Sequence, residues 1–199
     1  MMRTEALIIF VRNPVPGKVK TRLARTIGEE KALRIYRHLL DHTHRVTGDL
    51  ACDKFVFYAD VLNENDLWEN DRYYKKLQSG GDLGCRMQNA FLSLFLAGYQ
   101  NLIIVGSDCL DLTAGIIEKG FLQLEKQDIV IGPCADGGYY LLGMKKDTPV
   151  FFKGKSWSSP SVLAETIADC REHSLTYSLL PTLNDIDEEK DIPESLLNK

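Results

Sequence analysis

Asn101-Leu102-Ile103-Ile104-Val105 runs directly into Gly106-Ser107-Asp108-Cys109-Leu110-Asp111. Four large apolar residues between a polar residue and a glycine are too few for a helix and read as a fully buried strand. Such a strand needs apolar cover on both faces, which points to an α/β sheet with helices above and below it. In open sheets of this kind ligands bind beyond the carboxyl ends of the strands. A carboxylate there is placed to hold a divalent cation, which in turn holds phosphate oxygens. Asp108 or Asp111 can equally cap the helix that begins near Thr113.

The rest of the chain alternates in the same way. A strand is expected at 5–11, a Pro-, Gly- and Lys-rich loop at 12–21, and a helix at 28–47 closed by Gly48. A strand at 54–59, a polar loop or short helix at 61–72 and a short strand at 73–77 follow. A helix at 83–99 leads into the strand at 101–105. Beyond it come a helix at 113–126, strands at 128–133 and 139–144, a helix at 160–172 and a strand at 175–180. The acidic tail from Asp187 is read as helical. Alternating strands and helices predict a mostly parallel sheet with right-handed crossovers, and the close strand pair at 128–144 makes its second half mixed. No repeat, linker or low-complexity tract interrupts the 199 residues, so 1–199 is read as one domain.

Bulk properties narrow the function. A net charge of -4 gives no electrostatic support for nucleic-acid binding, and no apolar run approaches membrane-spanning length. The apolar N-terminus is too short for a secretion signal and continues into Arg12 and Pro14, so the protein is expected in the cytoplasm. Five widely spaced cysteines with no C-x-x-C pair argue against a disulfide framework or zinc site. Cys109 and Cys134 fall near strand ends, either facing each other across a site or filling apolar space. His38 and His42 lack the glutamate of an H-E-x-x-H pattern and read as a solvated helix face.

Four loops carry residues suited to chemistry. The first places Arg12, Lys18, Lys20 and Arg22 around Gly17, after a strand and before a helix, where side chains, flexible backbone and a helix N-terminus can hold phosphates. It is not a P-loop, and a solvated basic loop is its plainer reading. The second, Gln78 to Met87, brings Gly80, Gly81 and Gly84 together with Asp82, Leu83 and Arg86. Backbone there can approach a flat base or ribose, or Asp82 can simply start a helix. The third, Gly132 to Tyr140, sets Asp136 before Gly137-Gly138, which is also a good hairpin turn. The fourth carries Asp185 and Asp187, two carboxylates on one side of an extended segment or part of a solvated acidic tail. Trp157, between serines, can line an acceptor pocket or anchor a loop.

Taken in order, these loops resemble a bacterial glycosyltransferase-like family with the GT-A (nucleotide-diphospho-sugar transferase) fold. The family pattern runs F-x-K-x-P-x-x-G-x-V-K-T-R-L, Q-x-G-x-D-L-G-x-R-M, G-x-D-x-P-D-L, G-P-x-x-D-G-G-Y-Y-L-x-G, a tryptophan, and D-I-D-T-x-x-D-L. The likeness spans residues 8 to 192. Arg12 stands in place of the usual Lys, Leu110 in place of Pro and Glu188 in place of Thr. The family is distantly similar to the 2-phospholactate and molybdenum-cofactor guanylyltransferases.

The resemblance implies a single-domain, Rossmann-like GT-A fold with a mostly parallel mixed sheet and helices on both faces. It implies that Asp108, with Asp185 or Asp187, binds Mg²⁺ or Mn²⁺. The first loop would hold phosphates, and Gly81, Asp82, Leu83, Gly84 and Arg86 would lie near the base and ribose. Asp108, Asp136 and Arg22 are the expected catalytic groups. Asp111, Gly137, Gly138, Tyr139 and Trp157 are expected to form the sugar or acceptor pocket. The implied activity is metal-dependent transfer from a nucleotide-diphospho-sugar to a small-molecule acceptor. Two alternatives stand beside it: nucleotidyl transfer from a nucleoside triphosphate to a phosphate-bearing small molecule, and nucleotide binding without catalysis. A GT-A domain this small often pairs through an exposed edge, so a homodimer is the assembly implied.

Overall fold

The computed structural model describes residues 4–197. In chain order the elements are β1 (Glu5–Val11), α1 (Thr21–Ile27), α2 (Glu29–Gly48), β2 (Asp53–Tyr58), β3 (Tyr74–Leu77), α3 (Leu83–Leu96) and β4 (Asn101–Val105). They continue with α4 (Ala114–Leu124), β5 (Ile129–Pro133), β6 (Tyr139–Met144), α5 (Val162–Glu172), β7 (Tyr177–Leu179) and the short α6 (Glu194–Leu197). All seven strands join one sheet in the order β3-β2-β1-β4-β6-β5-β7. Only β6 runs against its neighbours β4 and β5, so the mixed second half follows from the tight 134–138 turn.

Strand alternation builds two cores. On β1, Leu7, Ile9 and Val11 face one apolar cluster with Leu23 of α1, Ile35 and Leu39 of α2 and Phe121 of α4. Ala6 and Ile8 face the other, with Met87, Phe91 and Leu94 of α3 and Cys170 of α5. The period-2 pattern of the strands thus meets helical stripes on both faces, as the GT-A expectation requires. Among the described residues, no helix is long and apolar enough to cross a membrane.

Local boundaries differ from the sequence pattern at α1 and in the acidic tail. The first loop is followed by an extra helix, α1, which ends at Gly28 with φ +85° and the bond Gly28 N to Ala24 O. The stretch 61–72 takes the loop alternative, as a run of turns. The acidic tail is one 3₁₀ turn at Glu189–Asp191 and the short α6, separated by Pro193, a residue that cannot continue a helix from the preceding turn.

Candidate active site

The sheet order reverses direction at β1, which lies between β2 and β4. Strands β1 and β4 are parallel, with Ile9 opposite Val105, so the chain leaves both at the same edge. This is the switch point at which such sheets leave a crevice. Five segments meet over it: 12–22, 78–87, 106–108, 134–140 and 185–187. Together they line a cleft of about 660 Å³.

The first loop is anchored before it reaches the cleft. The Tyr36 hydroxyl on α2 accepts from Arg12 N at 2.8 Å and donates to Arg12 O at 3.1 Å. Burial, together with the Asp108 charge, pushes its pKa up to about 12. Asn13 grips Val61 through both its amide nitrogen and its amide oxygen. The loop ends at Lys20, whose backbone is left-handed at φ +46°. That conformation is costly for a non-glycine residue, and here it coincides with a side chain drawn into the cleft.

Lys20 lies at the centre of the charge network. Its Nζ is 2.9 Å from Asp108 Oδ1 and 3.1 Å from Asp187 Oδ1, and its side chain is only 5% exposed. Burial works to lower its pKa, but Asp108 and Asp187 outweigh this and hold it above the ordinary lysine value. Arg22 Nη1 reaches Asp187 Oδ2 at 3.2 Å. The C-terminal segment is held in place by backbone: Ile186 N donates to Asp108 O at 2.9 Å, and Leu183 exchanges bonds with Pro133 and Ala135. The capping alternative for Asp108 and Asp111 is not realised, because Thr113 caps α4 by accepting from Ile116 N.

A second acidic group lies beside the first. Ligand atoms of Cys134, Asp136 and Asp185 are all within 4.8 Å of one another. Burial, then the charges of Asp136 and Asp187, raise the Asp185 pKa to about 6. Burial and nearby carboxylates also push the Cys134 thiol up, and the buried Cys109 thiol rises to about 11. Asp136 Oδ1 accepts from Gly138 N at 2.9 Å, which fixes the turn. Gly137 has φ +91°, and a Cβ there would lie 2.2 Å from Pro160 O. That close approach brings the 157–161 loop against the acidic turn.

Of the residues expected in the site, Arg12, Lys18, Lys20, Arg22, Gly81, Leu83, Arg86, Asp108, Asp136, Gly138, Tyr139, Trp157, Asp185 and Asp187 line the cleft. Gly17, Asp82, Gly84, Asp111 and Gly137 do not. Asp82 caps α3 by accepting from Cys85 N at 2.7 Å, and Asp111 is exposed outside the cleft. Gly84 is buried beneath Trp157, where an added Cβ would come within 2.5 Å of the indole. Sequence reasoning missed Tyr36, Gln78 and Ser107 as cleft residues. Tyr36 carries no loop signal, because it lies on the apolar face of α2. Gln78, whose amide donates to Val11 O and Phe57 O, had a signal in its place three residues before Gly81.

The seven-stranded, mostly parallel sheet with helices on both faces has the nucleotide-diphospho-sugar transferase (GT-A) fold. The chain belongs to the bacterial family described as "uncharacterized protein conserved in bacteria" (DUF2064), whose profile matches residues 42–159. It is similar to a protein of Desulfovibrio desulfuricans provisionally named a nucleotide-diphospho-sugar transferase, at 34% identity and a TM-score of 0.86, over 94% of this chain and 84% of that one. Two further structures share the fold. The 4-diphosphocytidyl-2C-methyl-D-erythritol synthase of Anaerococcus prevotii matches at 10% identity and TM-score 0.59, over 99% of each chain. The inositol-1-phosphate CTP transferase of T. maritima matches at 11% and 0.57, over 98% of this chain and 94% of that one. No curated protein matches the chain.

Proposed function

We propose that the protein transfers a sugar from a nucleotide-diphospho-sugar to a small acceptor, with Mg²⁺ or Mn²⁺ bound by Asp108 and Asp187 and Asp185 alongside. The observation that carries this reading is the convergence of Asp108 and Asp187 on the single positive charge of Lys20, at the head of a cation-rich loop. Two carboxylates that share one ammonium at hydrogen-bond distance form an oxygen donor set of the kind hard divalent cations use. When bound, such an ion neutralises the diphosphate and stabilises the departing nucleoside diphosphate.

This chain's own residues supply the rest. Arg12, Lys18, Arg22 and Arg86 face the same cleft and neutralise phosphate oxygens, the arginines through paired N–H donors. Lys20 follows the negative charge, from carboxylates to phosphates. Gly81 and Leu83 present backbone to the ribose or base. Asp136, fixed by Gly138 N, orients the sugar or takes the acceptor's proton. Five cysteines that are all free thiols suit a reducing cytoplasm.

Nucleotidyl transfer is the second reading. It is favoured by the number of cations, since a triphosphate needs more neutralisation than a sugar diphosphate. The leaving group separates the two: nucleoside diphosphate for sugar transfer, pyrophosphate for nucleotidyl transfer. The first test is a thermal-shift screen of nucleotides with and without Mg²⁺ or Mn²⁺. A ligand at 100 times its Kd stabilises by about 2.7 kcal/mol. A metal-dependent shift with a nucleoside diphosphate or its sugar supports sugar transfer, and a preference for triphosphates supports nucleotidyl transfer. No shift with any nucleotide defeats both, and binding without metal dependence or turnover leaves the non-catalytic reading.

A further inference from the structure

The cleft is divided by charge. Every cation that lines it comes from 12–22 or from Arg86, whose Nε is held on Gly80 O. A second wall, built from 134–140 and 157–162, contributes Asp136, Tyr139, Trp157, Ser158 and Ser159, with Asp185 beside them. Among the described residues, the only charged groups of that wall are carboxylates. Lys155, the nearest lysine in sequence, is buried and paired with Asp169 at 2.6 Å.

Trp157 is mounted as a rigid plate on this wall. The indole rests directly on Gly84, which leaves no room for a side chain beneath it. The loop behind it is pinned by Leu163 N to Gly137 O at 3.0 Å. Ser158, next to the plate, holds a left-handed φ of +62°, and both Ser158 and Ser159 face the cleft. An aromatic face flanked by hydroxyls and carboxylates offers stacking to C–H surfaces and hydrogen bonds to O–H donors. Its only charges, those of Asp136 and Asp185, are negative and repel a phosphate.

From this division, and resting on the sugar-transfer reading above, we infer that the acceptor is an uncharged polyhydroxyl compound, a sugar or polyol without phosphate, stacked on Trp157 beside Asp136. In the reaction the acceptor's hydroxyl oxygen bonds to the anomeric carbon of the donor sugar. The bond from that carbon to the diphosphate oxygen breaks, its electron pair leaves with the nucleoside diphosphate, and the hydroxyl proton passes to the Asp136 carboxylate. A phosphorylated acceptor would bring its dianion against the Asp136 carboxylate and bind at least about tenfold more weakly.

The test uses the full chain saturated with a nucleoside diphosphate and Mg²⁺. Neutral sugars and polyols (glucose, mannose, inositol, glycerol) and their monophosphates are titrated against the Trp157 part of the fluorescence, taken as the difference between the wild type and Trp157→Phe. Nucleotide-sugar breakdown is followed with the same panel. Neutral compounds should change the signal saturably and accelerate breakdown, and phosphates should do so at least about tenfold less well. Trp157→Ala should lose the acceptor response, raising acceptor KM, with nucleotide affinity within about twofold; Trp157→Phe should keep most of the acceptor-driven rate. Stronger responses to phosphates, or no response to any acceptor while the nucleotide binds, would overturn the inference and leave the donor reading standing. Failure of any nucleotide to bind would remove both.

Discussion

Replacing Lys20 with Met tests the central charge network. The lysine side chain is 5% exposed, and its Nζ lies 2.9 Å from Asp108 Oδ1 and 3.1 Å from Asp187 Oδ1. At an effective dielectric of 20, each contact is worth roughly 5 kcal/mol before desolvation is counted, and desolvation of the lysine cancels most of it. Breaking a fully buried pair costs about 3–5 kcal/mol. Here the Asp108 and Asp187 side chains are 44% and 37% exposed and rehydrate when abandoned, so the expected loss is about 1–2 kcal/mol. Because the folded Lys20 pKa is raised, its contribution is complete below the ordinary lysine value and is lost only as pH rises through the higher folded value. The deficit should therefore be flat across the neutral range. Urea unfolding in EDTA should show the loss as a lower midpoint, and Mg²⁺ should restore more stability to Lys20→Met than to the wild type, because the ion takes the vacated position. Equal stabilities in EDTA, or a gap that Mg²⁺ leaves unchanged, would refute the claim that Asp108 and Asp187 form a cation position.

Other consequences follow from the same geometry. Asp185 titrates near 6 when folded, so its ionised form destabilises the fold above that pH and the penalty disappears as pH falls toward 3.8. Asp185→Asn should be more stable than the wild type at pH 7 by about 1–2 kcal/mol, with the gap closing near pH 4 in unfolding curves, and should lose activity. Gly84→Ala adds helix propensity but drives the indole of Trp157 off its seat, so the melting temperature should hold within a few degrees while acceptor KM rises. Gly137→Ala meets Pro160 O at a positive φ and should cost at least about 2 kcal/mol in denaturant titrations. Iodoacetamide at neutral pH should label Cys85 first, since the other four thiols are buried; mass spectrometry of the intact protein would reveal any early second adduct.

The parts of the fold legible in the sequence were those with local causes. Strands β1, β4, β5 and β6 are short apolar runs closed by turn residues, and α2 and α3 carry clear apolar stripes. Where a single glycine decides the outcome the reading slipped: Gly28 divides 21–48 into two helices, which periodicity alone does not reveal. The cleft residues were largely found because a loop after a strand end is a position rather than a composition. Their pairing was not legible. Lys20 reads as one of four loop cations, yet it spans 167 residues to reach Asp187. Gly84 reads as a ligand contact, and packing makes it the seat of Trp157; of the two roles open to Asp82, the cap of α3 is the one realised.

Four aspartates around one cleft are a burden on an apo fold, and the two pairs carry it differently. Asp108 and Asp187 are neutralised from within by Lys20 and Arg22. Among the described residues no cation forms an ion pair with Asp136 or Asp185, and burial, then the Asp136 and Asp187 charges, raises the Asp185 pKa. A fold that merely required acidic surface there would not place Asp185 half-buried next to a second carboxylate, because solvent would hold it more cheaply. The uncompensated pair is therefore the part of the cleft whose arrangement stability does not explain. It adjoins the 157–161 loop and the acidic turn, where the proposed transfer to a hydroxyl would deliver a proton. The neutralised pair, at the head of the cationic loop, is where phosphate charge has to be met. The polarity of the cleft thus matches a reaction with a charged donor at one end and a neutral acceptor at the other.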